Sequence, residues 1–383
     1  MGCLRLFLAF AVVAAHTLRT SDTAFILPGN LAVKLFFVVS GFYMAMILAE
    51  KYNQPGWAGL RLFYSNRALR IYPLLWVIFT LELAASWFFP IALGTPWSKW
   101  PGLISWLYEH ERLASIASLA AAQISGFGVD AVHLFSFDSI GAAFWYDGPI
   151  ANGSVRGWSL MPMSHAWSIS CELIFYLAAP FLIRHKTPVL MAGAVASMLI
   201  APFIGRIANL PEFAEVASSF WAPLQFGYFI LGILAYRLYR NPGWVKATKS
   251  PQIQTVITIV FACLMLFYGF WNRFSYTATL LLLFGFAALA IPVLFARSSP
   301  FHWDRALGNL SYPVYLIHIT VIRSLELPQV KNFLGETYFG TLYHACSVMI
   351  LSVGLSWLLV KVLDQRIDDY RQRRLSLVLA NRA

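Results

Sequence analysis

The sequence predicts an all-α, polytopic membrane protein with about ten transmembrane helices and both termini in the cytoplasm. Its 383 residues are 59% hydrophobic and only 12% charged, whereas about 25% of the residues in a soluble domain are charged. Aromatic residues make up 16% of the chain, which is typical of proteins with aromatic belts at the membrane interfaces. Long apolar runs recur along the whole sequence. We therefore expect one membrane-embedded domain over residues 1–383.

Ten apolar runs are long enough to form helices that cross the ~30 Å hydrocarbon layer of a membrane. They lie at about 4–20, 32–49, 72–90, 166–183, 188–204, 219–237, 254–271, 276–296, 306–323 and 340–363. The longest connection, about 91–165, is rich in Trp, Gly and Ser. Residues 113–127 within it predict a surface helix. An eleventh span is the alternative, which Gln123 and Ser125 disfavour.

The positively charged residues predict the orientation, because Lys and Arg concentrate on the cytoplasmic side of membrane proteins. One set of alternating loops, together with the tail at about 364–383, carries seventeen of them. The other set carries six, namely Lys99, Arg112, Arg156, Arg206, Arg273 and Lys331. This asymmetry places both termini in the cytoplasm and the 91–165 loop outside. The formal charge of +11 is dispersed between apolar runs, so no nucleic-acid partner is expected.

The four cysteines, Cys3, Cys171, Cys263 and Cys346, are far apart and lie in or beside apolar runs. They show neither CxxC spacing nor the Cys/His spacing of a zinc site. We therefore expect no metal site, no disulfide framework and no permanently bound cofactor.

The first apolar run, "CLRLFLAFAVVAAHTL", contains two polar residues, Arg5 and His16. They are eleven residues apart, which is three helical turns plus about 20°, so they share one face and are separated by ~16 Å along the helix. An imidazole near the middle of the membrane is a candidate general base. The alternatives are a histidine satisfied between packed helices and, for Arg5, an anchor at the membrane interface.

Arg67 and Arg70 occur in "LRLFYSNRALRIYP" at the cytoplasmic entrance of the third run. At i and i+3 they share a helix face, and paired guanidinium groups suit phosphate oxygens. The alternative is that both simply contribute to the positive charge of the cytoplasmic side.

Glu172 lies about five residues into the fourth run, within "HAWSISCELIFYLAAPF". A carboxylate inside the membrane is costly unless it is paired, so it is a candidate for orienting a histidine or acting as an acid or base. The alternative is a glutamate that ties helices together through neighbouring Trp or Ser side chains.

The ninth run contains Tyr312, Tyr315 and His318 at intervals of three residues, which form a polar edge on an apolar helix. His318 would lie near the middle of the membrane, either facing a cavity or buried as a core histidine. A further match, "HLFSFD" at 133–138, fits the HxxxxD pattern of glycerolipid acyltransferases. We discount it because the pattern is short and falls in the predicted outer loop.

Five motifs occur in an order that resembles the acyltransferase-3 family of integral membrane acyltransferases, which includes bacterial polysaccharide, O-antigen and Nod-factor O-acetyltransferases. The motifs are "LR…VVAAH" in the first run, "KLFFVVSGF" (34–42), "RALRIYP" (67–73), "WSISCELIFYLAAP" (167–180) and "LGNLSYPVYLIH" (307–318). The resemblance extends over about residues 4–363. It departs from the family at Gly2, where an Asp is frequent, and at Cys171, where a Val is frequent.

The resemblance implies ten membrane helices and transfer of an acyl group, usually acetyl, from acyl-CoA to a sugar hydroxyl. It implies that His16 is the catalytic histidine, that Arg5 matches the upstream arginine, and that Glu172 closes the WSxxxE motif as a second catalytic group. Arg67 and Arg70 match the RxxR motif implicated in acyl-CoA use. The residues expected to line or support the cavity are Ser40, Trp167, Ser168, Ser170, Tyr312, Tyr315 and His318.

The expected function is therefore O-acylation of a cell-surface or exported carbohydrate or glycolipid, in the bacterial inner (plasma) membrane and in contact with its lipids. Acyl-CoA, most simply acetyl-CoA, would be a co-substrate. The alternatives are a transporter or flippase for a sugar or lipid-linked intermediate, and a structural scaffold. The tryptophans of the outer region could stack on sugar rings or lie at the membrane interface; they are Trp97, Trp100, Trp106, Trp145 and Trp158.

Overall fold

The computed structural model describes residues 1–19, 27–52, 57–145, 153–207 and 210–380. Residues 146–152 of the predicted outer region and Arg382, which counts toward the predicted orientation, lie outside these ranges. The helices, in chain order, are α1 (Gly2–Thr17), α2 (Gly29–Glu50), α3 (Trp57–Leu93), α4 (Trp100–Glu109), α5 (Leu113–Ser125), α6 (Val129–Val132), α7 (Trp167–Leu182), α8 (Thr187–Ile207), α9 (Pro211–Phe220), α10 (Ala222–Tyr239), α11 (Pro242–Ala247), α12 (Pro251–Leu266), α13 (Tyr268–Asn272), α14 (Tyr276–Ser298), α15 (His302–Leu325), α16 (Pro328–Leu334), α17 (Leu342–Leu359) and α18 (Gln365–Ala380).

Short elements complete the described chain. Three 3-10 turns occupy Gly157–Leu160, Ser164–Ala166 and Glu336–Tyr338, and a π-helical segment, Val360–Asp364, joins α17 to α18. The strands β1 (Phe135–Phe137), β2 (Ala143–Trp145) and β3 (Val155–Arg156) form a small antiparallel sheet in the order β2-β1-β3. Apart from this sheet, the prediction of an α-helical protein is confirmed.

In the described chain, each of the ten predicted apolar runs falls largely on helical residues, and the runs at 219–237 and 254–271 each fall on two helices separated by a short break. Six helical stretches of the described chain are long and apolar enough to cross a membrane: Gly29–Glu50, Gly59–Leu93, Ser164–Leu182, Thr187–Ile207, Tyr276–Ser298 and Leu342–Arg374. A seventh results if α9 and α10, which bend by 46° at a short break, count as one span. These helices indicate a multi-pass membrane protein. The count of ten and the orientation of the termini stay predictions.

The helix predicted over 113–127 is present as α5, which ends at Ser125 and is followed by Gly126, a residue in the left-handed conformation with φ of 74°. The chain divides into two compact units. The first unit combines Met1–Leu74 with Tyr228–Ala383, and the second is Leu75–Gly227. That the whole chain forms one domain stays a prediction.

In the first unit, α1 packs against α15, α2 and α17. The backbones of α1 and α15 approach closely at Gly2 and Gly308, where a Cβ built on Gly308 would lie 3.1 Å from the Gly2 Cα. A second close approach joins α2 and α10, because a Cβ on Gly232 would lie 2.6 Å from the Phe42 backbone nitrogen. Glycines at such crossings let membrane helices approach each other closely.

In the second unit, the buried carboxylate of Asp130 joins three elements. It accepts hydrogen bonds from the Ser170 hydroxyl at 2.6 Å and from the Ala222 amide at 2.9 Å. The Ser170 hydroxyl also accepts from the Gly128 amide at 2.9 Å. These bonds fix α6 against α7 and against the start of α10.

Candidate active site

The start of α1 is held by a carboxylate from α15. Both oxygens of the buried Asp304 accept hydrogen bonds, from the amides of Gly2 at 2.8 Å and Cys3 at 2.9 Å. An anion at this position satisfies amides that have no partner within the helix and complements the helix dipole. Burial raises the pKa of Asp304, but hydrogen bonds from the Met1 amino group and these two amides outweigh that effect and hold it well below its usual range.

This contact brings an acid to Gly2, the position where the family resemblance leads us to expect an aspartate in the sequence. The acid comes instead from α15, near the other end of the chain. Arg5 lies one turn further along α1, half-buried, with its guanidinium beside Gly308. Arg5 therefore lies on the side of α1 that packs against α15.

At the other end of α1, the imidazoles of His16 and His318 are neighbours. Their ring centroids are 5.3 Å apart, with an angle of 43° between the ring planes. His16 is solvent-accessible, whereas His318 is fully buried. The residue pairs 2 with 308 and 16 with 318 show that α1 and α15 run in the same direction. The pairing places an accessible imidazole against a buried one.

The orientation of His318 is fixed by its own helix. Its Nδ1 lies 2.6 Å from the backbone carbonyl oxygen of Tyr315, and a carbonyl can only accept, so Nδ1 carries the proton in the neutral ring. The lone pair of neutral His318 is therefore on Nε2. The Tyr315 ring lies 5.8 Å from the His318 ring, and the Tyr312 hydroxyl donates to the Ile71 carbonyl oxygen at 2.9 Å.

Arg67 and Arg70 are both half-buried on α3. Arg70 forms an ion pair of 3.0 Å with Asp364 in the π-helical segment, and the Arg67 guanidinium lies 5.9 Å from the centre of the Phe63 ring. Both side chains also lie within electrostatic range of Arg371 on α18. The proximity of Arg371 on α18 to the RxxR motif was not predicted, because no local sequence pattern shows which helices pack together.

The remaining predicted site residues divide between the two units. Ser40 is half-buried on α2 in the first unit. Glu172, Trp167, Ser168 and Ser170 belong to α7 in the second unit, where Glu172 is half-buried and the other three are buried. Trp167 packs edge-on against Phe220 with ring centroids 5.0 Å apart. The pairing of Glu172 with His16 stays a prediction.

The discounted "HLFSFD" match has a structural explanation. His133 is buried, stacks on Phe220 at 4.4 Å between centroids, and has Nδ1 2.9 Å from the Val129 carbonyl oxygen. Burial lowers the pKa of His133 to about 4. The Asp138 carboxylate accepts from the Ala142 amide at 2.8 Å in the connection between β1 and β2. Both residues therefore have structural contacts within the 91–165 region.

The outer tryptophans separate into buried and exposed groups. Trp97 is buried and donates from Nε1 to Glu82 at 3.0 Å, and Trp100 donates to Ser86 at 3.1 Å. Trp145 and Trp158 are exposed, although one face of Trp145 is stacked on Phe135 with ring centroids 4.3 Å apart.

Two buried ionisable residues inside apolar runs were not among the predicted site residues. Lys34 is 8% exposed on α2, with its ammonium 5.3 Å from the centre of the Tyr228 ring. Glu82 is 1% exposed on α3. A charged residue in a predicted span is itself a signal of function, and both were readable from the sequence. Among the described residues, no three His, Cys, Asp or Glu side chains group as a metal site.

Residues 1–361 match a family model described as "Acyltransferase domain". The chain belongs to the acyltransferase-3 family. The match covers the second unit and the first unit up to the π-helical segment, where it ends, so α18 lies beyond it.

Two relatives of this acyltransferase-3 protein carry names that state an activity. "Acyltransferase MdmB" of Streptomyces mycarofaciens is 26% identical over 277 residues, which cover 63% of this chain and 57% of the relative. "Putative O-acetyltransferase SACOL0978" of Staphylococcus aureus (strain COL) is 22% identical over 322 residues, covering 77% of this chain and 46% of the relative. The chain thus spans about half the length of these curated relatives. No solved structure gives a significant match.

Proposed function

We propose that this protein is a membrane O-acyltransferase that moves an acyl group, acetyl in the simplest case, from cytoplasmic acyl-CoA to a hydroxyl of a cell-surface or exported carbohydrate or glycolipid. Family membership and the names of the two relatives support acyl transfer. The observation that carries the proposal is the accessible imidazole of His16 beside the buried His318. An accessible base on a membrane helix is the group that hydroxyl acylation requires.

In the proposed reaction, His16 takes the proton of the acceptor hydroxyl as that oxygen attacks the thioester carbonyl carbon. The new C–O bond forms, the C–S bond breaks, and the thiolate of CoA leaves with the proton returned from His16. The products are the O-acyl ester and free CoA. General base catalysis of this kind contributes about 10²–10⁴ in rate.

His318 is proposed to act on His16 rather than on the substrate. With Nδ1 bound to the Tyr315 carbonyl, its basic Nε2 can accept from a protonated neighbour, which favours transient protonation of His16. The Tyr315 carbonyl then selects the His318 tautomer, because the hydrogen bond made by one ring nitrogen decides which nitrogen carries the proton.

The donor site is proposed at the RxxR motif. Arg67 and Arg70 supply guanidinium groups for the phosphates of CoA. A planar guanidinium group can donate two parallel hydrogen bonds to the oxygens of one phosphate. Arg5 is proposed to assist donor binding, and Glu172 to act as a second catalytic group. Ser40, Trp167 and Ser168 are proposed to support the cavity; the bonds of Ser170 to Asp130 and Gly128 support a structural role for that hydroxyl.

The direct test is release of CoA from acetyl-CoA by the purified protein in lipid nanodiscs, with and without a crude surface-glycan acceptor. We expect CoA release by the wild type and a loss of at least a hundredfold for His16→Ala. His302→Ala, on the exposed first turn of α15, is the matched control and should retain the wild-type rate. Movement of a sugar or lipid-linked substrate across the bilayer with no thioester consumed would instead identify a transporter.

A further inference from the structure

Four arginines meet where α18 lies against α3. We call Arg67, Arg70, Arg371 and Arg374 the arginine cluster. Arg374 donates to the Ser65 hydroxyl at 3.0 Å and to the Asn66 side-chain oxygen at 3.3 Å. Arg371 is 8% exposed and lies within electrostatic range of Arg67 and Arg70.

The carboxylates around the arginine cluster do not balance its charge. Asp364 pairs with Arg70 at 3.0 Å, and Asp368 pairs with Arg371 at 2.7 Å. Among the described residues, four guanidinium groups against two carboxylates leave a formal surplus of two positive charges. Cations this close repel each other, and burial strengthens the repulsion because the surroundings screen it less.

The cluster also retains donors without acceptors. In the part of the chain that the structure describes, the Nε atoms of Arg67 and Arg371 are buried and have no hydrogen-bond partner. A buried donor without an acceptor costs free energy, more so on a charged group. A bound anion would supply the acceptors and remove the charge surplus.

The π-helical segment that leads into α18 positions Arg371 and Arg374. Segments of this type are rare and occur frequently at functional sites. Here the segment carries Asp364 to Arg70 and continues into the helix that bears Arg371 and Arg374. A regular α-helix through the same five residues would rotate α18 relative to α3.

We propose that Arg371 and Arg374 of α18 complete the donor site begun by the RxxR motif, so that the arginine cluster holds the phosphate groups of acyl-CoA. The inference rests on the proposed function, since it names the residues that bind the donor of that reaction. It assigns a binding role to a helix that lies outside the region matched by the family. The group recognised is a cluster of phosphates on a nucleotide, two in the diphosphate and one on the ribose.

The test measures binding of radiolabelled CoA to the full chain in phosphatidylcholine nanodiscs. The variants are Arg371→Gln, Arg374→Gln and Arg371→Lys. The matched control is Arg373→Gln, which removes the same charge from an exposed position of α18. Adenosine 3′,5′-bisphosphate is the competitor, and acetyl-pantetheine is the phosphate-free donor for turnover.

We expect each Gln variant to weaken CoA binding about tenfold to a hundredfold, the range for hydrogen bonds to charged groups. We also expect the variants to lower kcat/KM for acetyl-CoA relative to acetyl-pantetheine, Arg371→Lys to recover part of the loss, and Arg373→Gln to match the wild type. Adenosine 3′,5′-bisphosphate should compete with CoA on the wild type and more weakly on both Gln variants.

Three results would overturn the inference in distinguishable ways. Wild-type CoA affinity in both Gln variants leaves the proposed function standing and removes α18 from the site. An equal loss with acetyl-CoA and acetyl-pantetheine, accompanied by a lower unfolding temperature, assigns the cluster a purely structural role. If the Gln variants differ from the wild type only in discs that contain phosphatidylglycerol, the arginine cluster binds a lipid headgroup instead of CoA. A wild type that binds no CoA contradicts the proposed function itself.

Discussion

The close approach of α2 and α10 predicts how much the substitution Gly41→Ala destabilises the protein, because the distances around Gly41 set the cost. A Cβ added at Gly41 would overlap the carbonyl oxygen of Phe229 and would lie 2.8 Å from its carbonyl carbon and 3.0 Å from its Cα. Carbon atoms normally pack at about 3.5–4.0 Å. The two backbones must therefore separate by up to about 1 Å in Gly41→Ala, and the stacked rings of Phe37 and Phe229, 4.5 Å apart, must separate with them.

The expected cost combines three effects. Overpacking at a close contact costs about 1–3 kcal/mol, weakening the aromatic pair costs roughly a further 0.5–1 kcal/mol, and alanine gains back about 1 kcal/mol of helix propensity over glycine. We expect Gly41→Ala to be destabilised by about 0.5–3 kcal/mol. The control is Gly285→Ala on α14, where a Cβ meets nothing within 4 Å, so the gain in propensity should dominate.

Thermal unfolding of both variants in the same detergent measures this difference. Gly41→Ala should unfold several degrees below the wild type, and Gly285→Ala at or above it. If Gly41→Ala is as stable as Gly285→Ala, the described approach of α2 to α10 is wrong.

Three further predictions concern buried charge. Burial lowers the pKa of His133 to about 4, against about 6.5 in an unfolded chain. Because the unfolded state then binds the extra proton, the free energy of unfolding should fall by up to about 3 kcal/mol as the pH drops from 6.5 to 4. The unfolding temperatures of the wild type and His133→Gln should converge at low pH, and parallel curves would contradict the lowered pKa of His133. Asp304 has a depressed pKa, so its contribution to stability should be present above about pH 4 and lost below it. Asp304→Asn keeps one acceptor oxygen and places an NH2 group against the other amide donor, which should cost about 1–3 kcal/mol at pH 7. An unchanged unfolding temperature would show that these hydrogen bonds contribute nothing. Glu82→Ala leaves the buried Trp97 Nε1 donor without this acceptor, which should cost about 1–3 kcal/mol, whereas Glu82→Gln keeps an acceptor and should lose less; equal losses would contradict the role of this bond.

The helices were predictable because long apolar runs favour helices, in which every backbone polar group is satisfied within the segment. The run at 219–237 concealed a bend, since the break at Trp221 between α9 and α10 depends on packing rather than on hydropathy. α15 was predicted to cross the membrane, yet it is not among the described helices that are both long enough and apolar enough to do so. Its polar residues, including Asp304 and His318, are the ones that contact α1.

The candidate site was predictable only where a signal is local. His16 and His318 stand out because ionisable residues are rare inside membrane helices, but their proximity depends on α1 and α15 being parallel neighbours, which no local pattern encodes. Ser170 illustrates the same limit: its partner Asp130 lies forty residues earlier in the chain. The proposed role of Arg371 could not be predicted from the sequence, because its position near Arg67 and Arg70 depends on how α18 packs against α3.

We propose that His16 is the general base for transfer of an acyl group from acyl-CoA to a hydroxyl of a surface carbohydrate. The most direct measurement is mass spectrometry of the surface glycans from a deletion strain that expresses either the wild type or His16→Ala at equal levels in the membrane. We predict that the wild type restores an acyl modification, +42 Da for acetyl, and that His16→Ala leaves it absent. Restoration of that modification by the folded His16→Ala protein would contradict the account.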